Sequence, residues 1–198
     1  IETHISNVFL AGEFVYKIKK PVNLGFCDYV APSARRHFCR REIELNRRLT
    51  EGVYLSLEEV RWEARRGYVV GGAGRVIEPA VKMRRLPANR SLDALVQQGA
   101  AGSAEMVMIA RRLAVFHAAA QSAPAGSEFG APDTVREIVL DNLDRVQSHC
   151  REFVDAGVIA DVRSYSEAFL ELRAGLFDER RRSGRIKDCH GDLHAANI

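Results

Sequence analysis

The spacing of apolar residues shifts near residue 90, and that shift limits what the chain can fold into. Before it, apolar side chains come in short runs with the two-residue alternation of strands around one helical stretch; after it, they recur every third or fourth position, as on helices. Val8 to Lys20 holds two strand-like runs separated by Ala11-Gly12-Glu13, a hairpin-type turn, and Pro21 ends the second because it cannot donate to a ladder. Pro32-Ser33 opens a helix to about Leu49, with Ser33 as its expected N-cap and Phe38, Glu42, Leu45 and Leu49 on one face. Val53 to Trp62 and Tyr68 to Met83 carry further strand-like runs. Gly71-Gly72-Ala73-Gly74 is read as a hairpin turn inside the second of these, and 84–91 as a polar connection.

Beyond Ser91 the pattern predicts a short helix, Leu92 to Gln98, and then three longer ones. Glu105 to Ala120 places Met106, Ile109, Leu113 and Phe116 on one stripe, and Val135 to Val154 does so with Val139, Leu143, Val146, Cys150 and Phe153. Ile159 to about Arg182 follows with Val162, Phe169, Leu172 and Leu176, and Gly184 suits the position just past its end. Ser122 to Asp133 is a loop rich in Gly, Pro and Ala. The expectation is an α+β chain of two lobes, strand-rich over 1–86 and helical over 87–198.

The 198 residues, 46% of them hydrophobic, are enough for a substantial core. A net charge of only +3 gives little support to nucleic-acid binding. No apolar run nears the ~20 residues of a membrane span; the best candidate, Met106 to Phe116, is broken by Arg111-Arg112. The opening Ile1-Glu2-Thr3-His4 lacks an initiating Met and a basic leader, and reads as a segment of something longer. Four cysteines, Cys27, Cys39, Cys150 and Cys189, form no C-x-x-C pair and are expected to be free, mostly buried thiols in a cytoplasmic protein.

The last nine residues carry the chemistry. His190-Gly191-Asp192-Leu193-His194-Ala195-Ala196-Asn197-Ile198 sets an Asp and an Asn five apart behind a His-Gly pair. A phosphoryl-transfer loop needs that arrangement: Asp192 accepts the proton of an attacking hydroxyl, and Asn197 helps hold a metal on the nucleotide phosphates. A zinc site on His190 and His194 is the competing reading, but Gly191 stands where such a site has its Glu, and glycine weakens the helix it needs. The pattern G-x-x-x-x-G-K-[ST] does not occur.

A phosphate-binding lysine should sit on a strand, braced by a carboxylate from the next helix. Val15, Lys17 and Lys19 share one strand face; Lys17 is the first choice and Lys19 the second, against a bland reading in which the lysines simply solvate an edge strand. Glu42 is the expected brace, since it lies on the inward stripe whereas Glu44 is rotated about 200° away. A surface salt bridge between Glu42 and a neighbouring arginine is the plainer alternative. Thr3 and Ser6, in the loop before Lys17, could offer phosphate donors; 81–86 falls where a lobe connection would meet adenine, and core strand plus linker describes it equally well.

The segments T-H-I-S-N-V-F-L, V-Y-K-I-K-K-P-V, F-C-R-R-E-I-E-L-N-R-R-L, A-V-K-M-R-R-L-P and C-H-G-D-L-H-A-A-N-I resemble, in order, the bacterial aminoglycoside-phosphotransferase-like branch of the protein-kinase-like fold. Members of that branch are often fused to a separate ATPase domain. The resemblance implies a two-lobe kinase-like fold, ATP and Mg²⁺ as cofactors, and a small-molecule hydroxyl as acceptor. Lys17 would hold the phosphates, Glu42 would brace it, Asp192 would be the base with His190 beside it, and Asn197 would bind magnesium. Family members continue past this motif to a second metal-binding Asp and the acceptor pocket, neither of which lies within these 198 residues. An inactive, pseudokinase-like nucleotide-binding or regulatory module is therefore the alternative.

Overall fold

In the computed structural model, which describes residues 1–198, the chain forms two compact units, residues 1–116 with 190–198 and residues 117–189. The class is mixed α+β.

The first unit is built on five antiparallel strands: β1 (Ser6–Ala11), β2 (Phe14–Lys19), β3 (Tyr54–Glu63), β4 (Gly67–Val70) and β5 (Arg75–Arg84), in the order β1-β2-β5-β3-β4. Gly12, at φ 58°, makes the tight turn between β1 and β2. β2 therefore lies inside the sheet, between β1 and β5, and the edge-strand reading of its lysines does not hold. The 71–74 segment is not a hairpin turn either, because β4 and β5 flank β3 on opposite sides. The chain has to cross the end of β3, passing so close that a Cβ on Gly74 would collide with the Trp62 carbonyl oxygen.

Helix α1 (Pro32–Asn46) packs on β3 and β5. Pro at its first position fixes φ without costing a hydrogen bond, and Ala31 precedes it, so Ser33 is not the cap. Its buried stripe is Arg35, Cys39 and Ile43 rather than Phe38, Leu45 and Leu49; Phe38 is 37% exposed, and Leu49 lies past the helix end. Cys39, Ile43 and Val81 form the core, with Tyr54, Leu57 and Met83 against them. Arg35 belongs to that stripe because every donor group that is buried finds an acceptor. Its Nε and Nη2 donate to the two Glu78 carboxylate oxygens at 2.8 and 2.5 Å, and Nη1 donates to the Tyr29 and Val30 carbonyls at 2.8 and 2.6 Å. One side chain thus ties α1 to β5 and to the loop that precedes the helix. A short 3₁₀ turn (Ala88–Arg90) and α2 (Leu92–Gln97) follow β5.

The helix α3 (Ser103–Ala119) leads into the second unit, which contains α4 (Pro132–His149), α5 (Ala156–Leu172) and α6 (Ala174–Arg182). The long helix expected over 159–182 is two helices, broken at Arg173 (φ −113°, ψ 15°). Asp155 caps α5, accepting from the Gly157 amide at 2.7 Å. Gly184, at φ 66°, closes α6: the Gly184 and Arg185 amides donate to the Arg181 and Arg180 carbonyls. The predicted apolar stripe of α4 contributes no buried residue. Of the four free cysteines only Cys39 is buried, and Cys189 is exposed. No helix is long and apolar enough to cross a membrane.

Candidate phosphate and catalytic-loop residues

Strand alternation sets Lys17 and Lys19 on the same face of β2, and α1 lays Glu42 between them. Lys17 Nζ donates to Glu42 Oε1 at 2.9 Å, and Lys19 Nζ donates to Oε2 at 2.7 Å. Both first and second choices of lysine therefore hold the same carboxylate. They differ in access: the side chain is 27% exposed for Lys17 and 4% for Lys19. Lys19 also lies over the Tyr29 ring, 4.8 Å from its centroid, a contact no periodicity signalled. Burial works to raise the Glu42 pKa, but the two ammonium groups outweigh it and hold the carboxyl below its ordinary value. Burial also pushes the neighbouring Tyr54 phenol up to about 12 and the Cys39 thiol up to about 11. Glu44 is on the outer face, accepting from Arg41 at 2.8 Å, so the plainer reading of a carboxylate paired with a helix arginine fits it and not Glu42.

Two ammonium groups against one carboxylate leave a surplus positive charge. Its accessible member is Lys17. A site of this kind is chemically suited to an anion such as a phosphate.

Thr3 and Ser6 are placed otherwise than as open phosphate donors. The Thr3 hydroxyl donates to the Ser6 carbonyl and accepts from the Ser6 amide, both at 3.0 Å, closing a tight turn. Ser6 pairs with Lys19 in the β1–β2 register, is fully buried, and its Oγ has no hydrogen-bond partner.

The terminal loop belongs to the same unit as β2 and α1. Gly191 takes φ 81°, which lets the chain turn sharply before Asp192. His190 Nδ1 accepts from the Asp192 amide at 3.2 Å, so this His braces the turn. Asn197 Nδ2 donates to Asp192 Oδ2 at 3.0 Å and to the Asp192 carbonyl at 2.9 Å, bringing together the two residues the motif singles out. With Nδ2 so engaged, Oδ1 of Asn197 is the atom available to a cation. Asp192 Oδ1 lies 3.8 Å from His194 Nε2 and is otherwise the open carboxylate atom. The loop is fastened to α2 by the Leu92 amide, which donates to the Ile198 carbonyl at 2.7 Å. Asp93, which the sequence reading passed over, adds a carboxylate here; its pKa is lowered by hydrogen bonds from Ser91 and the Ala94 amide and, more weakly, by His194. The two-histidine zinc geometry does not form, since 190–194 is not helical and no group of three or more His, Cys, Asp or Glu side chains assembles.

The Lys17–Glu42–Lys19 cluster and the Asp192–Asn197 pair make no hydrogen bond to each other. Compared with known proteins, the chain is 33% identical over 197 residues to an uncharacterized protein of Mycobacterium tuberculosis (strain H37Rv), and equally to uncharacterized proteins of strain CDC 1551 / Oshkosh and of Mycobacterium bovis. These matches take in 100% of this chain and 38% of each relative, so the chain spans about two fifths of their length. No family model matches the sequence. No solved structure matches it either.

Proposed function

We propose that this chain is the nucleotide-binding and catalytic-loop part of an ATP- and Mg²⁺-dependent phosphotransferase of protein-kinase-like fold, acting on a small-molecule hydroxyl in the cytoplasm. The observation that carries the reading is the Lys17–Glu42 pair at 2.9 Å, formed between a strand and the helix that follows it. Active transfer at a kinase-type site requires that bridge, and the residues making it are 25 apart in sequence. What supports it further is the Asp192–Asn197 contact within a His-Gly-Asp loop in the same unit.

The residues would divide the work as follows. Lys17 binds the phosphates, with Glu42 fixing its direction. Asp192 receives the acceptor's hydroxyl proton on Oδ1, the oxygen that Asn197 leaves open. Asn197 Oδ1 is a hard oxygen donor of the type magnesium takes; the metal, when bound, neutralises phosphate charge. His190 shapes the turn. Most of the catalysis would come from positioning and charge neutralisation. The chain spans about two fifths of its relatives' length, and the acceptor and any associated ATPase domain are part of this proposal.

Thermal unfolding with and without millimolar Mg-ATP tests the reading. A ligand at ~100 times its Kd stabilises by about 2.7 kcal/mol, which for a chain of this size is a rise in Tm of roughly 5–10 °C. The rise should vanish in Lys17→Ala. No rise in the folded wild-type chain would sink the proposal.

A further inference from the structure

A single lysine would suffice to brace Glu42, yet two converge on it. The second is held differently from the first. Lys19 is 5% exposed overall, its ammonium is fixed between Glu42 Oε2 at 2.7 Å and the face of Tyr29, and Tyr29 is itself buried, tilted against Phe38 at 5.0 Å. Lys17 reaches the same carboxylate from a partly exposed position.

Glu42 is 12% exposed at its side chain, and a carboxylate so enclosed is costly to leave without a counterion. If Lys17 were its sole partner, every phosphate group that attracted Lys17 would compete with Glu42 for it. With Lys19 in place the carboxylate keeps a partner, and Lys17 can lean toward an anion without stranding it. We infer that Lys19 is a positioning residue: a buried, permanent counterion to Glu42 that releases the charge of Lys17 for phosphate. The inference rests on the nucleotide reading above and extends it to a residue that touches no ligand. Charge bookkeeping makes it specific. The cluster is +1 as it stands, 0 without Lys19, and +1 again if Glu42 is neutralised as well.

The experiment is calorimetric titration of the full chain with Mg-ATP, each variant first checked for folding by circular dichroism. Wild type should bind. Lys19→Met should bind about tenfold or more weakly, from loss of one nearby unit charge. Lys19→Met/Glu42→Gln should recover to within roughly threefold of wild type, although it restores no lost contact. A merely structural role for Lys19 predicts no such recovery, so a folded double variant as weak as the single one overturns the inference, as does Lys19→Met binding like wild type. If Lys19→Met does not fold, two double variants decide. Lys19→Met/Glu42→Gln keeps Lys17 and should bind, whereas Lys17→Met/Glu42→Gln keeps only the buried lysine and should not. Equal binding by the two overturns the inference. Failure of wild type itself to bind Mg-ATP is the separate result that removes the nucleotide reading, and this inference with it.

Discussion

The two units of this molecule differ in whether charged side chains enter their interiors. The sheet unit encloses a small apolar core and threads ion pairs through it: Cys39, Ile43 and Val81 sit among Arg35–Glu78 and the two lysines on Glu42. The helical unit buries few apolar side chains, Ala131, Ile159 and Leu170 among them, and leaves Phe153 85%, Leu172 81% and Tyr165 71% exposed. Local closures add to the packing of its helices: the Asp155 cap, the Gly184 turn, and the Ala123 and Asp188 amides donating to the Ile186 and Gln121 carbonyls. The difference teaches that hydrophobic periodicity identifies an element without saying whether its apolar face is covered. In the sheet unit the inward face is partly charged, and in both units large apolar side chains such as Phe26 and Phe153 face outward.

That comparison can be broken at its strongest point. Arg35→Ala removes a side chain with four hydrogen bonds and leaves Glu78 without its guanidinium, so it should cost about 3 kcal/mol in denaturant unfolding. A loss near zero would mean that the buried ion pairs do not organise the sheet unit.

A smaller effect should follow pH. The Glu42 carboxyl is held below its ordinary 4.5 in the folded chain, so its stabilising contribution is complete above pH 4.5 and disappears as pH falls through the folded value. The stability gap between wild type and Glu42→Gln should accordingly be widest near neutral pH and close below pH 4.5. A gap independent of pH would show that the carboxylate's charge is not what the lysines recognise.

The smallest effect is expected on the helical side. Leu172→Ser at an 81% exposed position should change stability by no more than ~0.5 kcal/mol. A cost above ~1 kcal/mol would place Leu172 in a packed interior.

Much of the site was legible because it depends on two rules, alternation on a strand and rotation around a helix. These put Lys17 and Lys19 on one face and turned Glu42, not Glu44, toward them. The Asp192–Asn197 contact is local and followed from the motif. What stayed hidden depends on partners far away in sequence. Arg35 looks like a solvated residue until Glu78 is brought to it from β5. The 71–74 segment looks like a hairpin because composition reports a turn and not which strands flank it. Ser6 reads as an available hydroxyl because its enclosure is set by the sheet around it. The break at Arg173 carries no proline, and the apolar spacing of Phe169, Leu172 and Leu176 runs straight across it.

The order of the strands has a consequence for how this molecule meets its own copies. A long, flat free edge invites another chain to add a strand and begin aggregation. Here one outer strand, β1, is already engaged by the amino terminus, whose Ile1 exchanges backbone hydrogen bonds with Val8. The opposite edge, β4, is four residues long, begins at Gly67, and follows Arg65 and Arg66. A foreign strand finds little ladder there, with Arg65 and the Glu63-paired Arg66 beside it, so the exposed Trp62 and Tyr68 can face water without the sheet becoming a template for fibril growth.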